Sequence, residues 1–474
     1  MTDSACPAPG GPRRRQVVGS LGALPLAACW PASAPAAAPA ASTDLAALLS
    51  ARLQHQGVGL VAAQIDPRGL RFGAAGSRRA EGGPAPDADT LFETGSITKT
   101  FVALLLADMA QRRELALDDA VDSVLPDGLK LRDNAGAPLR FIDLATHRSG
   151  LPRLPSNIVP TQPADPYADY GSALLHAFIA DWRATRARDA SYDYSNLGAG
   201  LLGHALALRA GQPFEPLLRT RILAPLGLEG MVLAMPGSAV GALAPGHDAQ
   251  RRPVPPWHFD VLAGAGALRG SARHLARYAQ AALGLIDTPL AEAFKATLTP
   301  HGAGPGPHNP VGLAWVLGPL NGRRIAHHDG GTYGFSSSLF LDPQRQQASV
   351  VLANAMVPVT DLALHLLDAS VPLRDLGTEA QVTSAEAMTL EAAALSALAG
   401  SYALSPQFKL RLRADGQRLF AQATGQGEFE LFARSPRVFF ARVTPLTVHF
   451  DGEPGAPKQL TLHQGGQQLR FVRE

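Results

Sequence analysis

"FETGSITKTF", residues 92–101, decides how the chain is read. Ser96 and Lys99 stand three residues apart behind Gly95, at the head of a run in which Phe101, Val102, Leu104, Leu105, Leu106 and Met109 are apolar. The plain reading is a helix start, with Thr94 or Ser96 as cap and the apolar residues as core. The chemical reading makes Ser96 a nucleophile and Lys99 its base. On a helix, residues i and i+3 share a face with Cβ atoms ~5–6 Å apart. Free N–H groups and positive potential at a helix N-terminus favour a developing alkoxide on Ser96. That potential, together with burial, lowers the Lys99 pKa so that the amine can accept a proton.

Two further signals follow in order. "YDYSNLGAG" (192–200) places Tyr194, Ser195 and Asn196 at the start of a small-residue apolar stretch. A phenol and an amide there can relay a proton and orient a substrate amide; a helix cap with Tyr194 as packing is the alternative. "HHDGGTYGFSS" (327–337) places His328, Asp329, Gly330 and Gly331 at the end of a strand candidate. On a strand His328 and Gly330 share one face while Asp329 points to the other, and glycines permit close approach of a ligand to the backbone. A hairpin turn with a surface histidine is the alternative. A metal site at His327, His328 and Asp329 is disfavoured, because adjacent strand residues cannot all face one ion.

Around these motifs the pattern is mixed. A helix is expected over about 43–56, then a strand pair, "VGLVAAQID" and "LRFGAAG", joined at Pro67-Arg68-Gly69. The run after Ser96 is apolar nearly all round, as in a buried helix. Residues 115–300 are expected to be mostly helical. Strand candidates follow at 311–318, 323–329, 335–342 and 347–354, and a closing helix at 359–370. Strands at both ends with a helical insert between them imply one antiparallel sheet with a helical lobe beside it, and a cleft where they meet. Residues 373–395 read as a linker. Beyond it, short alternating runs imply roughly seven strands in a small barrel or sandwich.

Composition narrows the function. The chain has 474 residues and a net charge of only +2, which gives no sign of a nucleic-acid partner. No apolar run reaches the ~18 residues of a membrane-spanning helix. "PRRRQVVGSLGALPLAAC" sets Arg13, Arg14 and Arg15 before an apolar stretch, the pattern of an export signal with a twin-arginine flavour. "LAAC" ending at Cys29 resembles a lipobox, and residues 30–42 read as an Ala/Pro tether; a plain signal peptide cut near "ASA" (32–34) is the alternative. Both cysteines, Cys6 and Cys29, fall in this region, so no internal disulfide is expected after cleavage. The resulting expectation is an exported, periplasmic protein held to a membrane through a lipid on Cys29.

Taken with "DLATHRSGLP" (143–152), "GAGALRGSARHLARYA" (264–279) and "VGLAWVL" (311–317), these motifs are collinear. The chain resembles the serine β-lactamase and penicillin-binding-protein superfamily, on its class C β-lactamase-related branch, over roughly 43–370. Its C-terminal part, 396–474, resembles the lipocalin-like β-domain appended to many such proteins. The resemblance implies an α+β domain over 43–372, with an antiparallel sheet, flanking helices and a helical lobe, and then a small all-β barrel. It implies Ser96 as acylated nucleophile, Lys99 as its base and Tyr194 as proton shuttle. Asn196 would bind the substrate amide, and the N–H groups of Ser96 and Gly331 would form the oxyanion hole. His328 and Gly330 would bind substrate, and His147 would hold its loop. No cofactor is implied. The implied substrates are D-Ala-containing peptidoglycan peptides, with β-lactams as acylating ligands. A D-aminopeptidase, an esterase, a weak β-lactamase and a non-turnover penicillin sensor remain open.

One departure stands out. Where the family commonly has Lys-Thr-Gly this chain has His328-Asp329-Gly330, and its five lysines (99, 130, 295, 409 and 458) lie elsewhere in the sequence. A histidine, with a free pKa near ~6.5, is mostly neutral at neutral pH. Substrates with a free carboxylate are therefore expected to gain as pH falls from about 8 to 6.

Overall fold

The computed structural model describes residues 44–53, 58–162, 164–235, 241–248, 250–306, 308–374, 386–405, 408–423, 428–441, 446–452, 457–464 and 467–474. Cys29, its lipobox and the tether lie outside them. Two compact units are present, with a division at Arg374/Asp375.

In the first unit, helix α1 (Leu45–Leu53) precedes strands β1 (Gly59–Asp66) and β2 (Gly69–Gly76). Helices α2 (Thr98–Gln111), α3 (Phe141–Ala145), α4 (Ser172–Asp181), α5 (Asn196–Ala210), α6 (Ala272–Ala282) and α7 (Ala291–Leu298) follow. Strands β3 (Gly302–Gly306), β4 (Asn309–Val311), β5 (Val316–Leu320), β6 (Arg323–Gly331), β7 (Ser336–Asp342) and β8 (Gln347–Ala353) then return to the sheet, and α8 (Thr360–Leu367) closes the unit. The strands form one eight-stranded antiparallel sheet, ordered β2-β1-β8-β7-β6-β5-β4-β3.

Alternation along the strands creates two cores. Val61, Ala63 and Ile65 of β1 join Val350 and Leu352 of β8 in the larger core with α2 and α6. Leu60 and Ala62 turn to the opposite face and join Val351 with α1 and α8. Helix α2 lies inside the larger core: from Leu91 to Met109 every residue is buried except Ser96. Phe101 stacks on Tyr278 of α6 at 4.0 Å, and each fully buried apolar side chain of this size stabilises by ~1.5–3 kcal/mol. Burying the segment Leu91–Met109 therefore fixes where Ser96, its one partly exposed residue, emerges.

The structure differs from the sequence reading in three places. The expected strand over 311–318 breaks at Gly312–Trp315. A Cβ on Gly312 would meet the Thr297 carbonyl at 2.2 Å, and Ala314 takes φ 60. The backbone there bonds to helix ends instead of a strand: Leu313 N donates to Thr297 O (2.9 Å) and Ala314 N to Ala145 O (2.8 Å). Second, helices occupy less than half of 115–300. Carboxylates stabilise its loops: Asp133 accepts from the N–H groups of Ala135 and Ala137, and Asp143 from that of Arg140.

The third difference is in the second unit, a closed barrel of eight strands rather than seven. The overlooked strand is Gly400–Ser405, which pairs with both Phe408–Asp415 and Gln467–Arg473 and so closes the barrel. Leu404 is exposed, and Tyr402 is the one buried residue among those described in this strand, packed with Phe450. A helix, Ala392–Leu398, begins within the stretch read as linker and sends Leu395 and Leu398 into the barrel core.

Candidate active site

Three elements meet where the sheet and the helical lobe join. Gly95–Ile97 forms a tight turn leading into α2, so Ser96 precedes the helix and Lys99 sits in its first turn. Lys99 Nζ lies 2.9 Å from Ser96 Oγ and donates to the Ala265 carbonyl at 2.6 Å. The side chain is buried, and burial holds its pKa well below the ordinary lysine value; the Arg153 charge acts in the same direction. A neutral amine with one hydrogen committed to Ala265 keeps its lone pair for the Ser96 hydroxyl, which is the geometry of a general base.

Tyr194 and Asn196 are set by α5. Ser195 is its N-cap: its Oγ accepts from Gly198 N (2.8 Å) and donates to Pro152 O (2.7 Å). Burial raises the pKa of the Tyr194 hydroxyl, with Ser96 acting against it, so it stays a phenol at working pH. Lys99 Nζ stands 5.0 Å from the Tyr194 ring centroid. The ring packs against His147 at a tilt of 35°, with centroids 4.4 Å apart. His147 takes φ 56, is buried and kept neutral by burial, and its Nδ1 accepts from Ser195 N at 3.2 Å. Asn196 Nδ2 donates to Tyr167 Oη (2.9 Å), while its Oδ1 is buried without a partner. An unpaired buried acceptor costs ~1–3 kcal/mol, which a substrate N–H would recover.

The third element is the end of β6. A Cβ on Gly330 would lie 2.1 Å from the Thr94 carbonyl, and one on Gly95 would lie 2.6 Å from Gly331 N. Ser337 Oγ donates to that Thr94 carbonyl at 2.8 Å. Glycine at 95 and 330 thus allows the strand to press against the serine turn, which brings the backbones of Ser96 and Gly331 together. Behind them the buried Glu93 pairs with Arg269 at 3.2 Å and accepts from Trp257 N at 2.8 Å.

His328 lies beside Tyr194, ring centroids 6.2 Å apart. Asp329 faces the other side, accepting from Ser338 Oγ (2.5 Å) and Thr360 Oγ1 (3.0 Å). The expectation that His328 gains charge between pH 8 and 6 is corrected by its surroundings. Burial, with Lys99 adding to it, pushes its pKa down to about 3. Its Nδ1 pairs with the Asp329 carbonyl at 2.7 Å, which requires the proton there and leaves Nε2 as an acceptor. A neutral acceptor does not attract a carboxylate.

The structure therefore gathers Ser96, Lys99, Tyr194, Asn196, His328, Gly330 and Gly331 in one place. The sequence reading missed Ala265, Tyr167, Arg153 and the Glu93–Arg269 pair. Ala265 and Arg269 fall inside a quoted motif, but nothing in their identity signals a role carried by a backbone carbonyl or a buried ion pair. Among the described residues no helix is long and apolar enough to cross a membrane.

Comparison with known proteins agrees with this picture. The family model described as Beta-lactamase matches residues 45–372. A beta-lactamase of Pseudomonas fluorescens is 28% identical over 233 residues, 49% of this chain and 61% (less than two thirds) of that protein. The D-alanyl-D-alanine-carboxypeptidase/endopeptidase AmpH of Escherichia coli (strain K12) is 24% identical over 307 residues, 62% of this chain and 78% of that one. The crystal structure of a beta-lactamase/D-alanine carboxypeptidase from Pseudomonas syringae superposes with a TM-score of 0.59 at 25% identity, covering 69% of this chain and 99% of the other.

Proposed function

The chain belongs to the Beta-lactamase family of serine hydrolases, and from that premise we propose that it hydrolyses D-Ala-containing peptidoglycan peptides through an acyl-enzyme on Ser96. The observation that carries the proposal is the 2.9 Å approach of a buried, low-pKa Lys99 to Ser96 Oγ. Ser96 Oγ attacks the substrate carbonyl as its proton passes to Lys99 Nζ. The tetrahedral oxyanion sits between the N–H groups of Ser96 and Gly331, each donor worth ~3 kcal/mol. Tyr194 gives its proton to the departing nitrogen and regains one from Lys99, leaving an ester on Ser96. Water then attacks that ester, its proton taken through the Tyr194–Lys99 pair and passed on to Ser96 Oγ as the C–O bond to the acyl group breaks. Asn196 holds the substrate amide and β-lactams enter as acylating analogues. Gly330 lets the substrate lie along β6, where His328 Nε2 accepts a hydrogen bond.

We further propose export to the periplasm with lipid anchoring at Cys29, a hydrolase domain over 43–372, a linker at 373–395 and the barrel domain over 396–474. The motif "LAAC" supports the anchor, and Cys29→Ser should move the protein out of the membrane fraction or block its processing. A second reading, an esterase or D-aminopeptidase, is favoured by one observation: His328 is neutral where the family commonly has a lysine. Turnover of acyl-D-Ala-D-Ala peptides, of short-chain esters and of a cephalosporin by wild type and Ser96→Ala separates the readings. Peptide turnover lost in Ser96→Ala supports the proposal; ester turnover alone replaces it with the second reading.

A further inference from the structure

A substrate ending in D-Ala brings a carboxylate, and neither His328 nor Lys99 offers it a cation. His328 is neutral, and Lys99 is buried against Ser96 and Ala265. We infer that Arg153 reads the substrate's terminal carboxylate and sets the specificity of the site, an inference that rests on the acyl-transfer function proposed above.

Arg153 is exposed, with Cζ 5.3 Å from the centroid of the Tyr194 ring. Its backbone is fixed to the head of α5. Arg153 O accepts from Asn196 N (3.0 Å) and Leu197 N (3.1 Å), and the preceding carbonyl, Pro152 O, accepts from Ser195 Oγ. The anchor point is therefore set relative to Tyr194, and the guanidinium lies over that ring. Among the described residues no carboxylate lies within ion-pair distance of Arg153, whereas Arg148, Arg186 and Arg269 pair with Asp189, Asp193 and Glu93. Its charge is nonetheless felt inside the site, where it acts on Lys99, His147, Tyr167 and Tyr194.

The chemistry places the carboxylate in the same region. Tyr194 hands its proton to the leaving nitrogen, and the carboxylate carbon of a D-Ala leaving group stands two bonds away, roughly 2.5 Å. A guanidinium takes a carboxylate through two parallel N–H donations and stays charged across the working pH range. The preference for a carboxylate is therefore independent of pH between 6 and 8, whereas a histidine reader would strengthen it as pH falls. Of the titratable groups around Tyr194, His147 and His328 are held neutral over that range, Tyr167 is pushed up to about 12, and Lys99 acts equally on both substrates compared below.

The test compares kcat/KM for an acyl-D-Ala-D-Ala peptide and for its C-terminal amide, at pH 6 and 8, in the full chain, Arg153→Gln and Arg153→Lys. Where turnover is slow, second-order labelling rates for a penicillin and its methyl ester give the same ratio. The wild-type ratio should favour the carboxylate equally at both pH values. Arg153→Gln should lower it about tenfold to a hundredfold, and Arg153→Lys should keep part of it. A purely structural role would slow both substrates alike and leave the ratio unchanged, which would overturn the inference. So would a wild type without a carboxylate preference, or one whose preference grows as pH falls and survives in Arg153→Gln. Ser96→Ala, run beside them, fails to lose turnover only if the acyl-transfer reading itself is wrong.

Discussion

Gly95 is the most telling place to perturb this site. In Gly95→Ala the new methyl would stand 2.6 Å from Gly331 N, at a residue whose φ is +51. The left-handed backbone costs an alanine ~1–2 kcal/mol. The contact itself is relieved only if the serine turn and the end of β6 part by roughly 0.8 Å, to the ordinary contact of 3.4 Å. Oxyanion donors act at about 2.7–3.1 Å from the developing charge, so a displacement of that size removes the Gly331 N–H from range. Loss of one donor is worth ~3 kcal/mol, or on the order of 10²-fold in the acylation rate. Gly331→Ala is the counterpart. Its Cβ would meet nothing nearer than Phe335 O at 3.8 Å, and the N–H is kept. Stopped-flow acylation by a chromogenic ester, with the melting temperature of each variant, measures the contrast. A Gly95→Ala enzyme that acylates like wild type, or a Gly331→Ala enzyme as impaired as Gly95→Ala, would refute the reasoning.

Other outcomes follow from the same geometry. Gly330→Ala, whose Cβ would lie 2.1 Å from Thr94 O and 2.2 Å from Ser337 Oγ, should lose soluble protein or melt well below wild type in a thermal scan. Lys99→Ala and Tyr194→Phe should each cut turnover ~10²-fold or more, measured as kcat/KM on the same ester. Removing the Arg153 charge should move the acid limb of the pH profile of kcat/KM on that ester, which reports Lys99, to higher pH; an unmoved limb would show that the charge does not reach the amine. His328 is held neutral by burial, so the unfolded chain takes up a proton near pH 6.5 that the folded chain refuses until about 3. Its contribution to stability is complete above pH 6.5 and is lost as pH falls towards 3, about 2 kcal/mol between pH 7 and 5. Urea midpoints should drop accordingly, and less steeply in His328→Asn.

The residues that carry chemistry were legible because their types and spacing are themselves the chemistry. Ser96 and Lys99 one turn apart, Tyr194 and Asn196 at a helix head, and His328 to Gly331 on a strand end need no knowledge of what surrounds them. The sheet was legible for a related reason: β1, β6, β7 and β8 alternate cleanly between two cores. What escaped depends on tertiary context. A backbone carbonyl such as Ala265 O has no signature in its side chain. The state of His328 is set by burial that no local pattern reveals, and its neutrality removes the pH dependence expected of an exposed imidazole. Trp315 and Leu313 looked like strand residues because they stand in an apolar run; only the contact of Gly312 with Thr297 shows why the backbone turns away there. The eighth barrel strand, Gly400–Ser405, was missed because its pairing with two other strands, not a local alternation of its residues, marks it.

The claim on which everything rests is that Ser96 becomes covalently acylated. Intact-mass spectrometry after incubation with a penicillin or a phosphonate, followed by peptide mapping, measures it directly. The account predicts a single adduct on the peptide containing Ser96, slowed in Lys99→Ala and absent in Ser96→Ala. Labelling that persists in Ser96→Ala, or that maps to another residue in the wild type, would contradict it.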